Sequence, residues 1–278
     1  CRLRHASVSY DDDTVIQVRS ASLKFADTRY KSPLDLEFNT GTISLFWSAS
    51  NFLEFFRKKA AVDGIPCEFV QFYRKYERGL VAALDGIRDN PSSFTQLYYH
   101  SQVAQRFIGD DGQLRYAKSR LQPEDRGPET GLVPAGKYSP YWPEVRREGE
   151  TLAANYLRRE FKDRLAKGNV HYHLQIQLRT PVPGEAPEIF NCNRVWDEAE
   201  FPYVDLATVT LTEALSYEEN QWMRFALKNA PESLGNLPAT SPTDYNSVVY
   251  MRNKSAPAKA ARLLSYKVFG MPKERTEP

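Results

Sequence analysis

Apolar positions alternate through the first part of the chain and then change period. Residues 14–18 and 21–25 read as short strands, and 34–38 and 42–47 flank a turn at Asn39-Thr40-Gly41. Over 49–60 the spacing becomes helical, with Phe52, Phe55 and Phe56 on one side. Residues 67–76 predict a second helix behind Pro66. Residues 96–101 and 114–121 return to strand. Residues 152–166 form an amphipathic stretch that stops at Gly168. Over 170–178, Val170, Tyr172, Leu174, Ile176 and Leu178 alternate with His171, His173, Gln175 and Gln177, which predicts a strand with one face buried. Residues 203–211 alternate too. Residues 217–229 read as a helix, and 247–270 as helix interrupted at Pro257.

This order lacks the regular βαβ alternation of a parallel sheet. It predicts an α+β fold, with antiparallel strands in a barrel or sandwich and helices outside. A single domain over 1–278 is expected. Residues 123–150, rich in Pro, Gly and Glu without a period, are expected to be a long surface excursion.

Charge changes the picture by exclusion. The 37 Lys+Arg against 35 Asp+Glu leave a formal charge of +2, too little for a strongly basic nucleic-acid binder. No run of about 18 apolar residues is present, so no membrane span is expected. Cys1, Cys67 and Cys192 are too few and scattered for a disulfide framework. The chain opens without Met or a signal peptide, and 3–9 already reads as strand, so residues upstream of Cys1 are expected to be missing.

No phosphate-binding loop, dinucleotide turn, nucleophile elbow or calcium loop is present. His171-x-His173 shares one strand face and could hold a metal, but alternation alone explains a solvent-facing pair. Asp11-Asp12-Asp13 is expected to be a solvated turn, and Arg57-Lys58-Lys59 an exposed helix end. Cys67 is expected to be a buried structural thiol. The 16 Tyr, 15 Phe and 4 Trp suit ordinary core packing, or the wall of a pocket for a flat cofactor or lipid.

Several segments, in order, resemble the catalase superfamily, and its smaller divergent haem-protein branch best. Asp13-Thr14-Val15-Ile16-Gln17-Val18-Arg19-Ser20-Ala21-Ser22-Leu23-Lys24-Phe25 resembles the catalase pattern D-T-V-R-D-P-R-G-F-A-V-K-F. Arg4-His5-Ala6-Ser7 resembles R-F-S-T, and Leu36-Glu37-Phe38-Asn39-Thr40 resembles V-G-N-N-T. Residues 47–55 and 196–211 are similar to two further family segments, and Tyr98-Tyr99-His100-Ser101-Gln102 with Arg115-Tyr116-Ala117-Lys118 resembles the smaller branch alone.

The resemblance implies an antiparallel β-barrel wrapped by helices, with haem b in a deep pocket. It places Asn39 as the distal amide that orients a peroxide oxygen. It places Phe52 near the haem, and Arg4 and Arg19 at positions that serve haem propionates or the surrounding frame. The proximal ligand is implied to be a Tyr in an R-x-x-x-Y element, whose cation keeps the phenolate ionised. Arg262-Leu263-Leu264-Ser265-Tyr266 has that spelling, which makes Tyr266 the metal ligand and Arg262 its companion. Tyr250 is the alternative, with Asn246 where the Arg belongs. The family's distal His falls upstream of Cys1, so the N-terminal part of the family domain is expected to be missing here.

Two function classes remain open at this point. One is a haem oxidoreductase acting on peroxide or a fatty-acid hydroperoxide, peroxidase-like or hydroperoxide-rearranging. The other is a catalase-fold protein that has lost haem and serves as a binding or scaffold module. Homo-oligomerisation, or pairing with a separate N-terminal segment that brings the His, is a third expectation.

Overall fold

A computed structural model describes residues 1–5, 12–26, 34–61, 66–134, 136–137, 145–253 and 256–276. The first strands are β1 (Arg2–His5), β2 (Gln17–Phe25) and β3 (Leu34–Asn39). Helices α1 (Ala49–Ala61), α2 (Pro66–Lys75) and α3 (Glu77–Gly86) follow. Then come β4 (Ile87–Arg88), β5 (Tyr99–His100), β6 (Gln105–Ile108) and β7 (Leu114–Pro123). Helix α4 (Tyr156–Leu165) leads into β8 (Val170–Arg179) and β9 (Tyr203–Leu211). The remainder is α5 (Tyr217–Trp222), β10 (Leu234–Gly235), α6 (Ser247–Asn253) and α7 (Ala256–Phe269).

The strands form one mixed-length antiparallel sheet of ten. β1, β2 and β3 pair in sequence, β5 and β6 share one edge of β7, and β8 and β9 continue beyond its other edge. Among the described residues this path does not close on itself, so the expected barrel is not formed; the sheet is open, with β1, β9 and β10 as outer strands. The α+β class and the helices packed outside agree with the sequence reading.

One face carries the main core. Ala21, Leu23, Leu36, Phe38, Tyr99, Leu121, Tyr172 and Leu174 meet there and α4 adds Leu157 and Leu165. Burying these side chains is the main stabilising term, about 1.5–3 kcal/mol for each large one. A second cluster joins Ile16 and Ile87 to Phe55, Phe72 and Tyr73 of α1 and α2.

Some elements differ from the pattern reading. The two runs at 14–18 and 21–25 merge into β2, and 42–47 holds no strand. The 217–229 helix shrinks to α5, closed by a capping box of Ser216 and Glu219. In β8 the predicted single buried face changes sides. Past Leu174, Gln175 and Gln177 are buried while Ile176 and Leu178 are half-buried, and the register shift opposite Leu174 and Gln175 leaves Leu206 of β9 as the extra residue. The Gln177 amide donates to the carbonyls of Trp196 and Phe201, which cover that second face.

The acidic run is no solvated turn. Asp12 and Asp13 are 2% and 1% exposed. Asp13 Oδ2 accepts from the backbone N–H of Leu157 and Arg158, both at 3.1 Å, and so caps α4 from outside. Asp12 binds Thr14 and Arg146. Asp11 lies outside the described residues. Part of the 123–150 segment is tied down: Glu129 pairs with the buried Arg88 guanidinium at 2.8 Å, and Leu132 bridges to Arg88.

Candidate functional site

Strand register decides which candidates share a face. Arg4 pairs with Ser20, Ser20 with Asn39, Asn39 with His100, His100 with Arg120, Arg120 with Gln175, and Gln175 with Asp205. Directly opposed residues in a ladder project to the same side, so these seven form one row opposite the main core. Arg4 and Asn39 are two strands apart, roughly 10 Å, with only the small Ser20 between them.

Asn39 ends β3 beside a turn that is heavily fixed. Gly41 has φ +87°, and a Cβ there would lie 2.7 Å from the Gly86 Cα. Only glycine meets both demands. Thr40 Oγ1 donates to the Gly86 carbonyl at 2.6 Å, and Asp85 accepts from the Thr42 backbone at 2.6 Å. Gln102, itself at φ +59°, donates to the carbonyls of Gly41 and Ile43, each at 3.0 Å. Asn39 is half-buried, and its carboxamide makes no hydrogen bond to any described residue. The scaffold holds the backbone while the side chain keeps its donors for something else.

Helix α7 brings Arg262 and Tyr266 one turn apart, as the spelling requires. The guanidinium carbon lies 5.8 Å from the Tyr266 ring centroid, and Trp222 meets that ring edge-on at 6.0 Å. Tyr266 Oη lies 3.4 Å from Gln221 Oε1. These residues reach β1: Arg2 and Arg262 both donate weakly to the Met223 carbonyl at 3.5 Å. Burial, then Arg4 and Arg262, draws Arg2 down to about 9, while Tyr266 pulls it upward. Arg4, Arg262 and Tyr266 therefore each sit within electrostatic reach of Arg2.

Arg19 is not brought to that side. It belongs to the core-facing set of β2 and is 0% exposed. Its guanidinium donates to the carbonyls of Asp13, Val15 and Gln17 at 2.9, 3.0 and 3.2 Å. That geometry holds the frame. Phe52 is half-buried among Phe46, Phe56, Val248 and Val249. It thus packs on α6, the helix carrying Tyr250, whose side chain lies outside the described residues. Cys67's side chain lies outside them as well. His171 and His173 face β9, where Thr210 is 3.0 Å from the first and Asp205 4.0 Å from the second.

Sequence reading missed His100 and Lys118. Both line a void of about 20 Å³ with Gln102, Gln177 and Trp196. Burial, helped by Arg120, drives His100 down to about 3, so its imidazole is neutral. Burial takes Lys118 down to about 8; its ammonium donates to the Arg194 carbonyl at 2.8 Å and lies 4.9 Å from the Trp196 ring centroid. The signal for His100 was a lone His in the strand opposite Asn39, which only the register makes visible.

No family model matches the chain. Its backbone superposes on that of a bacterial catalase with a TM-score of 0.68 at 13% identity, over 96% of this chain and 51% of that one. It is 35% identical over 176 residues to an uncharacterised protein of Sinorhizobium fredii, covering 61% of this chain and 75% of that protein. It is also 38% identical over 255 residues to the allene oxide synthase-lipoxygenase protein of Plexaura homomalla, covering 90% of this chain. The chain has the catalase fold. These relatives are consistent with a divergent, catalase-related branch. The chain spans 24% of the length of the Plexaura homomalla protein.

The catalase superfamily implies haem, and the residues present fit it. Arg262 Nε is buried without a hydrogen-bond partner, beside a tyrosine one helical turn on. The unpaired Asn39 carboxamide lies on the same side of the sheet as Arg4. A cation next to a phenol and an amide with spare donors are the groups that a ferric porphyrin and its peroxide call for.

Proposed function

We propose that this chain is the haem-binding part of an oxidoreductase that acts on fatty-acid hydroperoxides. The observation that carries this reading is the shared face of Arg4 and Asn39, with Arg262 and Tyr266 delivered to the β1 end of that face by α7. The likeness to the Plexaura homomalla protein, whose name includes an allene oxide synthase, favours a hydroperoxide over a pure catalase substrate.

Tyr266 holds the iron and Tyr250 is its alternative. Arg262, its guanidinium carbon 5.8 Å from the Tyr266 ring centroid, is the cation of the R-x-x-x-Y element. Arg4 would take a porphyrin carboxylate through its planar fork. Bound haem b supplies the iron chemistry that cleaves a peroxide O–O bond. Asn39 donates to a peroxide oxygen from a fixed strand end and loses little entropy in doing so. Phe52 adds apolar surface that excludes water.

The test is an absorption spectrum of the purified protein with haemin. A Soret band is expected, which shifts or disappears in Tyr266→Phe and persists in Tyr250→Phe. The reverse result moves the ligand to α6. A colourless, iron-free protein with no affinity for haemin leaves only the second reading, a catalase-fold binding module.

A further inference from the structure

A cavity of about 370 Å³ opens where β1 begins and β9 ends, away from Asn39. That size falls in the usual range for small-molecule sites, roughly 300–1,000 Å³. Phe94, Phe161, Leu211 and Leu215 supply apolar wall. Arg2 is the buried cation lining it, 7% exposed, with Nε lacking any hydrogen-bond partner. Among the described residues its one hydrogen bond is the long contact with the Met223 carbonyl at 3.5 Å. A buried guanidinium left this way is costly unless an anion completes it.

The other charges around the cavity define which anion. Arg158 is engaged with Asp13 and Glu274 and with the carbonyls of Ala154 and Arg275. Lys162 stands at the exposed mouth, and Glu213 and Glu274 also line the cavity. A phosphate dianion would meet two carboxylates with one buried cation to offset them. A single carboxylate with a long apolar tail matches one guanidinium and an apolar wall.

We infer that this cavity binds a long-chain monocarboxylate, its carboxylate on Arg2 and its chain along Phe94, Phe161, Leu211 and Leu215. The cavity lining does not include Asn39, Arg4, Arg262 or Tyr266, although Arg2 shares the Met223 carbonyl with Arg262. Its ligand class is the one that a fatty-acid hydroperoxide or its product also carries.

The test is displacement of 11-(dansylamino)undecanoic acid from the purified chain, followed by dansyl fluorescence. Dodecanoate is expected to displace it, whereas dodecan-1-ol and acetate are each at least tenfold weaker. Arg2→Met is expected to weaken dodecanoate at least tenfold. Ala214→Trp, which fills the cavity, is expected to abolish probe binding. Both variants are checked by far-ultraviolet circular dichroism, and the competitor series needs no variant at all. Equal displacement by dodecanol, or unchanged binding in a folded variant, overturns the inference. The haemin titration separates the two proposals: dodecanoate binding without a Soret band leaves this site standing and removes the haem reading. A Soret band without dodecanoate binding does the opposite.

Discussion

Asn39 and His100 are neighbours in the ladder with opposite fates. Asn39 keeps its donors free, and Asn39→Ala is expected to slow hydroperoxide turnover by about 10²–10³ while leaving the Soret band in place, the size typical of losing one preorganised donor. Stopped-flow turnover beside an absorption spectrum checks it; an unchanged rate removes Asn39 from the chemistry. His100 carries a pH dependence instead. Its value falls from 6.5 in the unfolded chain to about 3 when folded. Between those values the unfolded chain binds a proton that the folded one refuses, so stability is lost as pH falls from 6.5 toward 3. The slope is about 1.4 kcal/mol per pH unit from this one group. Urea melts of wild type and His100→Gln across that window should diverge in slope, and parallel curves would place the acid sensitivity elsewhere.

At the level of elements, the acidic run shows how a tertiary partner rewrites a local reading. Asp13 sits next to β2 in sequence yet caps α4. Asp13→Ala is expected to cost about 2 kcal/mol, because two helix N–H groups lose their acceptor inside the protein. Calorimetry should show a melting temperature lower by several degrees. A drop of under one degree would mean that water replaces the cap. The turn after β3 is equally non-local. Gly41 is required by Gly86, which lies at the end of α3, and Thr40 closes the same contact. The site amide is therefore positioned by α3 and Gln102 as much as by its own strand.

At the scale of the whole molecule, the sheet collects its site by register. No stretch of sequence places Arg4 beside Asn39; Ser20 between them does, through two ladders. Helix α7 then adds Arg262 and Tyr266, more than 200 residues away in the chain. The proximal test belongs to this scale, because Tyr266 and Tyr250 are carried by different helices that pack on different neighbours. Element types were largely legible beforehand, since hydrophobic period is local and survives any tertiary arrangement. The α1, α2, β7, β8 and β9 assignments all follow from it. The collinear motifs also pointed to the catalase fold. What the sequence could not determine was which side each residue faces after a bulge, whether the strands close, and where charges end up. Those depend on pairing between distant segments. For that reason only the tertiary structure turned Arg19 into a frame residue, buried Asp12 and Asp13, neutralised His100, and placed Arg2 in the lining of a cavity.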